Sequence, residues 1–132
     1  MAAKFDFIVF EDFISPSLKD RIIYELSSPK KKAKTLGRFS HNVDSVINSD
    51  LICFKGNTID EEIKRTIEKS VTESIVLSFK HQEGKRMMTG EAFDYLLDES
   101  DTVLALMDDW LVIKPEYEGG ERLYYILKKT SK

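Results

Sequence analysis

The sequence is poor in cysteine and histidine, and this shortage narrows the chemistry available to the protein. Among 132 residues there are one cysteine, Cys53, and two histidines, His41 and His81. A single cysteine excludes an intramolecular disulfide and any zinc site that needs several thiolates. Cys53 lies in the apolar stretch LICFKG, which indicates a small core residue rather than a nucleophile. We therefore expect no bound metal.

Long apolar runs and glycine-rich phosphate loops are also missing. No run reaches the roughly 18 apolar residues that a membrane span needs. The first residues, MAAKFDFIVFEDF, carry acids at positions where a secretory signal is apolar. Neither a P-loop nor a dinucleotide-binding glycine pattern occurs, so no nucleotide cofactor is expected. These absences predict a cytoplasmic protein that works without a membrane or a cofactor.

The composition that remains is that of a globular domain. Hydrophobic residues make up 42% and charged residues 33% of the chain, and the net charge is -3. A chain of this size buries about two-thirds of its unfolded surface, which is enough for one core. We expect one domain over residues 1–132. The slight negative charge excludes a protein that is basic overall, but it does not exclude a local basic patch.

Apolar spacing near 3.6 residues predicts three main helices, over residues 16–28, 58–71 and 89–99. Thr58 and Glu61 have the spacing of a capping box, which places the start of the second helix at Thr58. Thr89 is the predicted cap of the third helix. A shorter helix is predicted after Ser40 or Asn42.

Runs of β-branched and aromatic residues predict the strands. They lie at residues 4–10 and 50–57 and in three consecutive segments, TVLALM, WLVIKP and ERLYYILKK. Residues 74–80 fit a helix or a strand equally well. Helices that precede a terminal meander predict an α+β fold, with the helices packed on one face of a mainly antiparallel sheet and a C-terminal three-strand meander. Both faces of the last two strands are partly apolar, so either helices cover both faces or one face carries an exposed aromatic patch.

A basic segment, KKKAKTLGR, occupies residues 30–38 and contains no acid. Because like charges repel and Gly37 interrupts the segment, we predict an exposed basic loop. Its cations can hold phosphates, although base stacking needs an interleaved aromatic and only Phe39 is near. A nucleic-acid-binding or regulatory role for this loop is the alternative function. The residues concerned are Lys30, Lys31, Lys32, Lys34 and Arg38.

The C-terminal half is acidic. Between Glu91 and Glu118 there are nine acidic residues and one basic residue, Lys114. If residues 90–101 are helical, Glu91, Asp94, Asp98 and Asp101 fall on one face, where they repel one another by a few tenths of a kcal/mol per pair. A cationic partner would offset that cost. The predicted partner-binding residues are Glu91, Asp94, Asp98, Asp101, Asp108, Asp109 and Trp110.

Support for an enzyme is weaker. His41 lies three residues before Asp44 and close to Arg38, an arrangement that suits a base and its orienting acid, but no nucleophile is evident. The triplet Glu83-Gly84-Lys85 is too short to indicate a metal-dependent nuclease. The sequence therefore favours a non-enzymatic protein-binding module. Its most concrete form is an inhibitor or immunity-type protein that covers a basic partner such as a nuclease toxin; a small enzyme is the least favoured alternative.

Overall fold

Six antiparallel strands form one sheet in the computed structural model, which describes residues 10–28, 30–41, 43–81, 83–99, 101–115 and 123–129. Their order across the sheet is β1-β6-β5-β4-β2-β3. Residues 4–9 of the strand predicted at residues 4–10, and the predicted turn EYEGG, lie outside the described residues; Phe10 itself is not in a strand but precedes a short 3-10 helix, Glu11–Phe13. The strands are β1 (Ile52–Gly56), β2 (Glu73–Ser78), β3 (Lys85–Met88), β4 (Val103–Met107), β5 (Trp110–Lys114) and β6 (Tyr124–Lys128).

Helices cover both faces of this sheet. One face is covered by α1 (Lys19–Ser27), α2 (Lys32–His41) and α3 (Val43–Val46), and the other by α4 (Glu61–Ser70) and α5 (Thr89–Asp98). The α+β class and the β4–β5–β6 meander are confirmed. Helix packing on one face alone was wrong, because the meander is apolar on both sides. No helix in the described ranges is long and apolar enough to cross a membrane.

The strand β5 shows why both faces need cover. Leu111 and Ile113 join the cluster under α1 and α2, whereas Val112 joins the cluster under α4 and α5, and all three are fully buried. Side chains alternate between faces along a strand, so an apolar residue at every position demands a layer on each side.

The ambiguous segment at residues 74–80 is the strand β2. Val76 and Leu77 are both fully buried but lie in opposite clusters, which is the alternation of a strand rather than one face of a helix. The next strand, β3, was not predicted because KRMM lacks the usual β-branched signal. Gly84 precedes it with φ of 93°, a conformation that favours glycine.

Two predicted helix caps were wrong. Asp60, not Thr58, caps α4: its carboxylate accepts a hydrogen bond from the backbone N–H of Ile63 at 3.0 Å. Thr89 is the first residue of α5, and its hydroxyl is 2.8 Å from the hydroxyl of Ser74 on β2. The threonine therefore ties the start of α5 to the sheet instead of capping the helix.

The edge strand β1 is more exposed than predicted. Cys53 points outward and is exposed, so its assignment to the core was wrong. The thiol donates to the carbonyl oxygen of Ile126 at 3.3 Å, and partial burial raises the pKa of the Cys53 thiol. Strand pairing shifts between Ile52 and Phe54, and this irregularity interrupts the ladder at the sheet edge.

The predicted basic loop is a helix from Lys32 onward. Leu36 and Phe39 are fully buried in α2, where they join the cluster under the first helical layer. Burying two large apolar side chains stabilises a structure by several kcal/mol. Repulsion between neighbouring lysines costs a few tenths of a kcal/mol per pair, so burial decides the conformation.

Gly37 gives a stability prediction. It lies inside α2, and a Cβ placed there would meet nothing within 4 Å. Because glycine costs about 1 kcal/mol relative to alanine in a helix interior, Gly37→Ala is expected to raise the free energy of unfolding by about 0.5–1 kcal/mol in urea denaturation. The matched control is Gly84→Ala, which should lower it because φ is positive there. A lower free energy of unfolding for Gly37→Ala would contradict the conclusion that a methyl group at residue 37 meets no other atom.

Candidate functional site

The outer side of α5 carries an acidic face, formed by Glu91, Asp94 and Asp98. All three are exposed, while Phe93 and Leu96 on the inner side are fully buried against the sheet. Within the described part of the chain, no cation forms an ion pair with these three carboxylates. The acidic face is therefore exposed and lacks a counter-ion within these ranges.

The acidic face carries two local costs for its own helix, although Glu91 lies in the first turn, where the helix dipole favours a carboxylate. The sequence of α5, TGEAFDYLLD, contains no lysine or arginine, and Asp98 occupies the last turn. Carboxylates near a helix C-terminus are disfavoured by the helix dipole, and like charges three or four residues apart repel. A row of cations on another molecule would remove both penalties.

The predicted stripe of four carboxylates is shorter than expected, because Asp101 lies beyond the end of α5. The helix ends at Asp98, and Glu99 is extended with φ of -79° and ψ of 136°. The Glu99 carboxylate lies 3.1 Å from the ammonium of Lys80 and accepts the backbone N–H of Asp101 at 3.4 Å. The chain leaves the helix here to enter β4.

The turn between β4 and β5 holds the other predicted acids, Asp108 and Asp109. Asp108 adopts φ of 54°, and both residues are exposed. The next residue, Trp110, is only partly exposed, and the Lys128 ammonium lies 4.8 Å from its ring centroid. The Asp109 carbonyl oxygen accepts the backbone N–H of Lys129 at 2.9 Å. The Lys128 side chain and the Lys129 backbone thus contact residues of this turn, while the Lys129 ammonium pairs with Asp12 at 3.0 Å.

The structure divides the predicted basic residues into two groups. Lys32 is only 8% exposed, and its ammonium is 3.5 Å from the Glu83 carboxylate. Arg38 lies 3.6 Å from Glu25. These two cations stabilise the fold. The cations left exposed are Lys30, Lys31 and Lys34.

Glu25 is the centre of a polar cluster that joins α1 to α2. The carboxylate is 9% exposed at the residue level and accepts hydrogen bonds from Arg21 at 3.3 Å and Thr35 at 3.1 Å. Burial raises the pKa of Glu25, but the bonds from Arg21 and Thr35 and the charge of Arg38 lower it more. The pKa of Glu25 therefore lies below its usual value, and the charged carboxylate holds the two helices together.

An aromatic residue that the sequence reasoning missed lies beside the exposed lysines. Tyr24 on α1 is 67% exposed, and the Lys31 ammonium is 5.4 Å from its ring centroid. Phe39, the aromatic expected near the basic segment, is fully buried instead. The signal was present in the helical pattern, because Tyr24 lies on the opposite side of α1 from the buried Ile22 and Leu26.

The proposed enzyme residues have separate structural partners. Asp44 lies 3.2 Å from the Lys55 ammonium, and this hydrogen bond is the main cause that raises the pKa of Lys55. Arg38 is engaged with Glu25, and the His41 side chain lies outside what the structure describes. The structure thus gives no shared site for Arg38 and Asp44.

His81 and the Glu83-Gly84-Lys85 triplet also contact other parts of the fold. The His81 ring lies 5.7 Å from the Tyr95 ring, and the His81 backbone N–H donates to the Ser78 hydroxyl at 3.2 Å. Glu83 pairs with Lys32, whereas Lys85 begins β3. The two charged residues of the triplet therefore have different positions and roles.

Glu25 gives a pH-dependent prediction. Glu25→Gln is expected to lower the free energy of unfolding by about 1 kcal/mol at pH 7, because it removes a charged hydrogen-bond acceptor. Since the folded pKa of Glu25 is depressed, its contribution is present above the ordinary value of 4.5 and is lost as pH falls through the folded pKa. The urea midpoints of wild type and Glu25→Gln should therefore differ less at pH 3 than at pH 7.

Ile67→Val is the control for the pH experiment, because Ile67 is fully buried and uncharged. Its cost of about 1 kcal/mol should be equal at both pH values. A Glu25→Gln deficit that persists unchanged at pH 3 would contradict the role of the charged carboxylate.

Asp98 gives a prediction about the cost of the acidic face. Asp98→Lys should raise the free energy of unfolding by about 0.5 kcal/mol in low salt, because it places a cation at the helix C-terminus. Glu62→Lys is the matched control: the same charge change in the first turn of α4 should destabilise the protein. Thermal and urea unfolding of both variants measure the two changes in the free energy of unfolding, which should have opposite signs. If both variants are stabilised, the reduced net negative charge of the protein, and not the helix dipole, is the cause.

The described residues contain no recognisable metal centre, since no group of three His, Cys, Asp or Glu side chains could hold an ion there. A small open cavity of about 210 Å³ is lined by Asp12, Asn48, Leu51 and Lys129, and the Lys129 ammonium and Asp12 carboxylate are 3.0 Å apart. No protein-family model matches the chain, and no curated protein or solved structure is detectably similar to it.

Proposed function

We propose that this protein is a non-enzymatic, cytoplasmic protein-binding module whose acidic face docks on a basic protein. The observation that carries the proposal is the state of Glu91, Asp94 and Asp98: they are exposed on one side of α5 and have no counter-ion among the described residues. Such a surface is mildly unfavourable in the isolated protein. A partner that supplies cations turns that cost into binding free energy and speeds association.

The spacing of the carboxylates favours a macromolecular partner over a single ion. Glu91 and Asp98 are seven residues apart in one helix, which separates them by about 10 Å along its axis. A metal ion needs its oxygen ligands within about 2.6 Å, so these carboxylates cannot converge on one ion. They can instead face a row of lysine or arginine side chains.

The sheet holds the acidic face rigidly. At the start of α5 the Thr89 hydroxyl is 2.8 Å from that of Ser74, and further along the Tyr95 hydroxyl is 2.9 Å from that of Ser78. Both partners belong to β2, so the helix is pinned to a single strand at two points. A rigid set of charges loses less conformational entropy on binding.

These properties suit an inhibitor or immunity-type protein for a basic enzyme. A nuclease has a cationic active site because it must hold phosphates. A rigid row of carboxylates can occupy the same cations and exclude the nucleic acid. A nuclease toxin is thus the concrete class of partner that we propose.

The proposal is tested by reversing Asp94 and Asp98 to lysine together. Wild-type and variant proteins are immobilised, exposed to nuclease-treated lysate of the native host at low salt, and eluted with a salt gradient. We expect the wild type to retain a defined basic protein and the variant to lose most of it, because two attractive charges become repulsive. Retention should weaken as salt rises.

The matched control reverses Asp20 and Asp50, two exposed acids outside α5, which gives the same change in net charge. This control should retain the basic protein. Equal retention by all three proteins would contradict the proposal, as would equal loss from both variants. If the retained protein is a nuclease, added wild-type protein should inhibit its activity, and the Asp94/Asp98 variant should not.

A further inference from the structure

A second charged surface lies at the end of the α1–α2 hairpin, and the acidic face does not include it. It consists of Tyr24, Lys30, Lys31 and Lys34, and we refer to it as the basic aromatic surface. Among the described residues, Tyr24 and Met88 are the large hydrophobic side chains with the greatest exposure, at 67% and 49%. Tyr24 is the one whose ring lies beside a lysine ammonium, that of Lys31, and Lys30 and Lys34 are exposed nearby in sequence.

The three lysines are free of acidic partners within the described ranges. Lys32 and Arg38 occupy Glu83 and Glu25, so those acids do not neutralise the exposed lysines. The first turn of α2 contains no acidic residue. The surface therefore concentrates three positive charges on a protein whose net charge is -3.

Backbone hydrogen bonds connect the start of α2 to the end of α1. The backbone N–H groups of Lys31 and Lys32 both donate to the carbonyl oxygen of Ser28, at 3.2 and 3.0 Å. Thr35 donates through its hydroxyl to Glu25 at 3.1 Å and fixes α2 against α1. This packing of α1 and α2 brings the Lys31 ammonium to 5.4 Å from the Tyr24 ring centroid.

We propose that the basic aromatic surface binds single-stranded nucleic acid without strong sequence preference. An unpaired base stacks on the Tyr24 ring, and Lys30, Lys31 and Lys34 contact the neighbouring phosphates. An aromatic platform beside cations is the combination that single-strand binding uses, because every base has a face that can stack. A duplex keeps its base faces covered and cannot use the ring.

The experiment measures fluorescence anisotropy of a labelled 12-nucleotide single strand, with a duplex of the same length as the comparison. We expect tighter binding to the single strand. For three phosphate contacts, the slope of log K against log salt should be about -2. Replacing all three lysines with alanine should bring the slope near zero, and each single replacement should reduce its size by about 0.7.

Tyr24 distinguishes stacking from simple charge attraction. Tyr24→Ala should weaken single-strand binding by roughly 5- to 150-fold, whereas Tyr24→Phe should retain it, because the ring remains. Lys69→Ala is the matched control, since Lys69 is an exposed lysine on α4 across the sheet. It should bind as the wild type does. Unchanged circular dichroism and melting temperature establish that each variant is folded.

Three results would overturn the proposal. Binding that is equal for Tyr24→Ala and wild type would show that the ring takes no part. Equal affinity for duplex and single strand would exclude base stacking. Binding to vesicles rich in phosphatidylserine, with none to the oligonucleotide, would identify a membrane contact instead. The acidic face lies on the helical layer across the sheet, so this proposal and the proposed function stand or fall separately.

Discussion

The fold depends on a sheet whose central strands are apolar on both sides. Val112 and Ile126 pack under α4 and α5, while Leu111 and Leu127 pack under α1 and α2. Removing apolar surface from water is the main favourable contribution to folding, so neither helical layer is dispensable. Each helix uses its apolar side for this purpose. Its outer side is then left for charge, and the two surfaces of functional interest are the outer sides of opposite layers.

Some charged side chains of the two helical layers form ion pairs within the fold, whereas others have no such partner among the described residues. In the first layer, Glu25 gathers Arg21, Thr35 and Arg38, whereas the exposed lysines of the same layer stay outside this cluster. In the second, Lys64 reaches Glu68 on α4 and also lies 5.6 Å from the Phe93 ring centroid on α5. The acidic face has no such arrangement among the described residues. The residues that fold the protein and those proposed to bind partners are therefore largely distinct.

Much of the fold follows from sequence pattern where the pattern is local. The meander was predictable because TVLALM and WLVIKP are short apolar runs separated by the turn Asp108-Asp109. The acidic residues of α5 were predictable because a 3.6-residue period places them on one side. The helix at residues 32–41 was not, because repulsion between lysines is visible in the sequence whereas the surface that buries Leu36 and Phe39 is not. The exposure of Tyr24 could be predicted from the helical period, but its contact with Lys31 could not, because it depends on how α1 and α2 pack together.

Pairing between β1 and β6 has a consequence for how the chain acquires its structure. Ile52 lies opposite Leu127, so the edge strand β1 pairs with β6, a strand that is synthesised about 70 residues later. Contacts between residues far apart in sequence slow folding, because the intervening loop must close first. During synthesis the apolar sides of α1 and α2 emerge well before the strands β4, β5 and β6 that cover them. The nascent chain therefore exposes apolar surface during translation. A molecular chaperone that binds this surface would prevent aggregation until the last strands have been made.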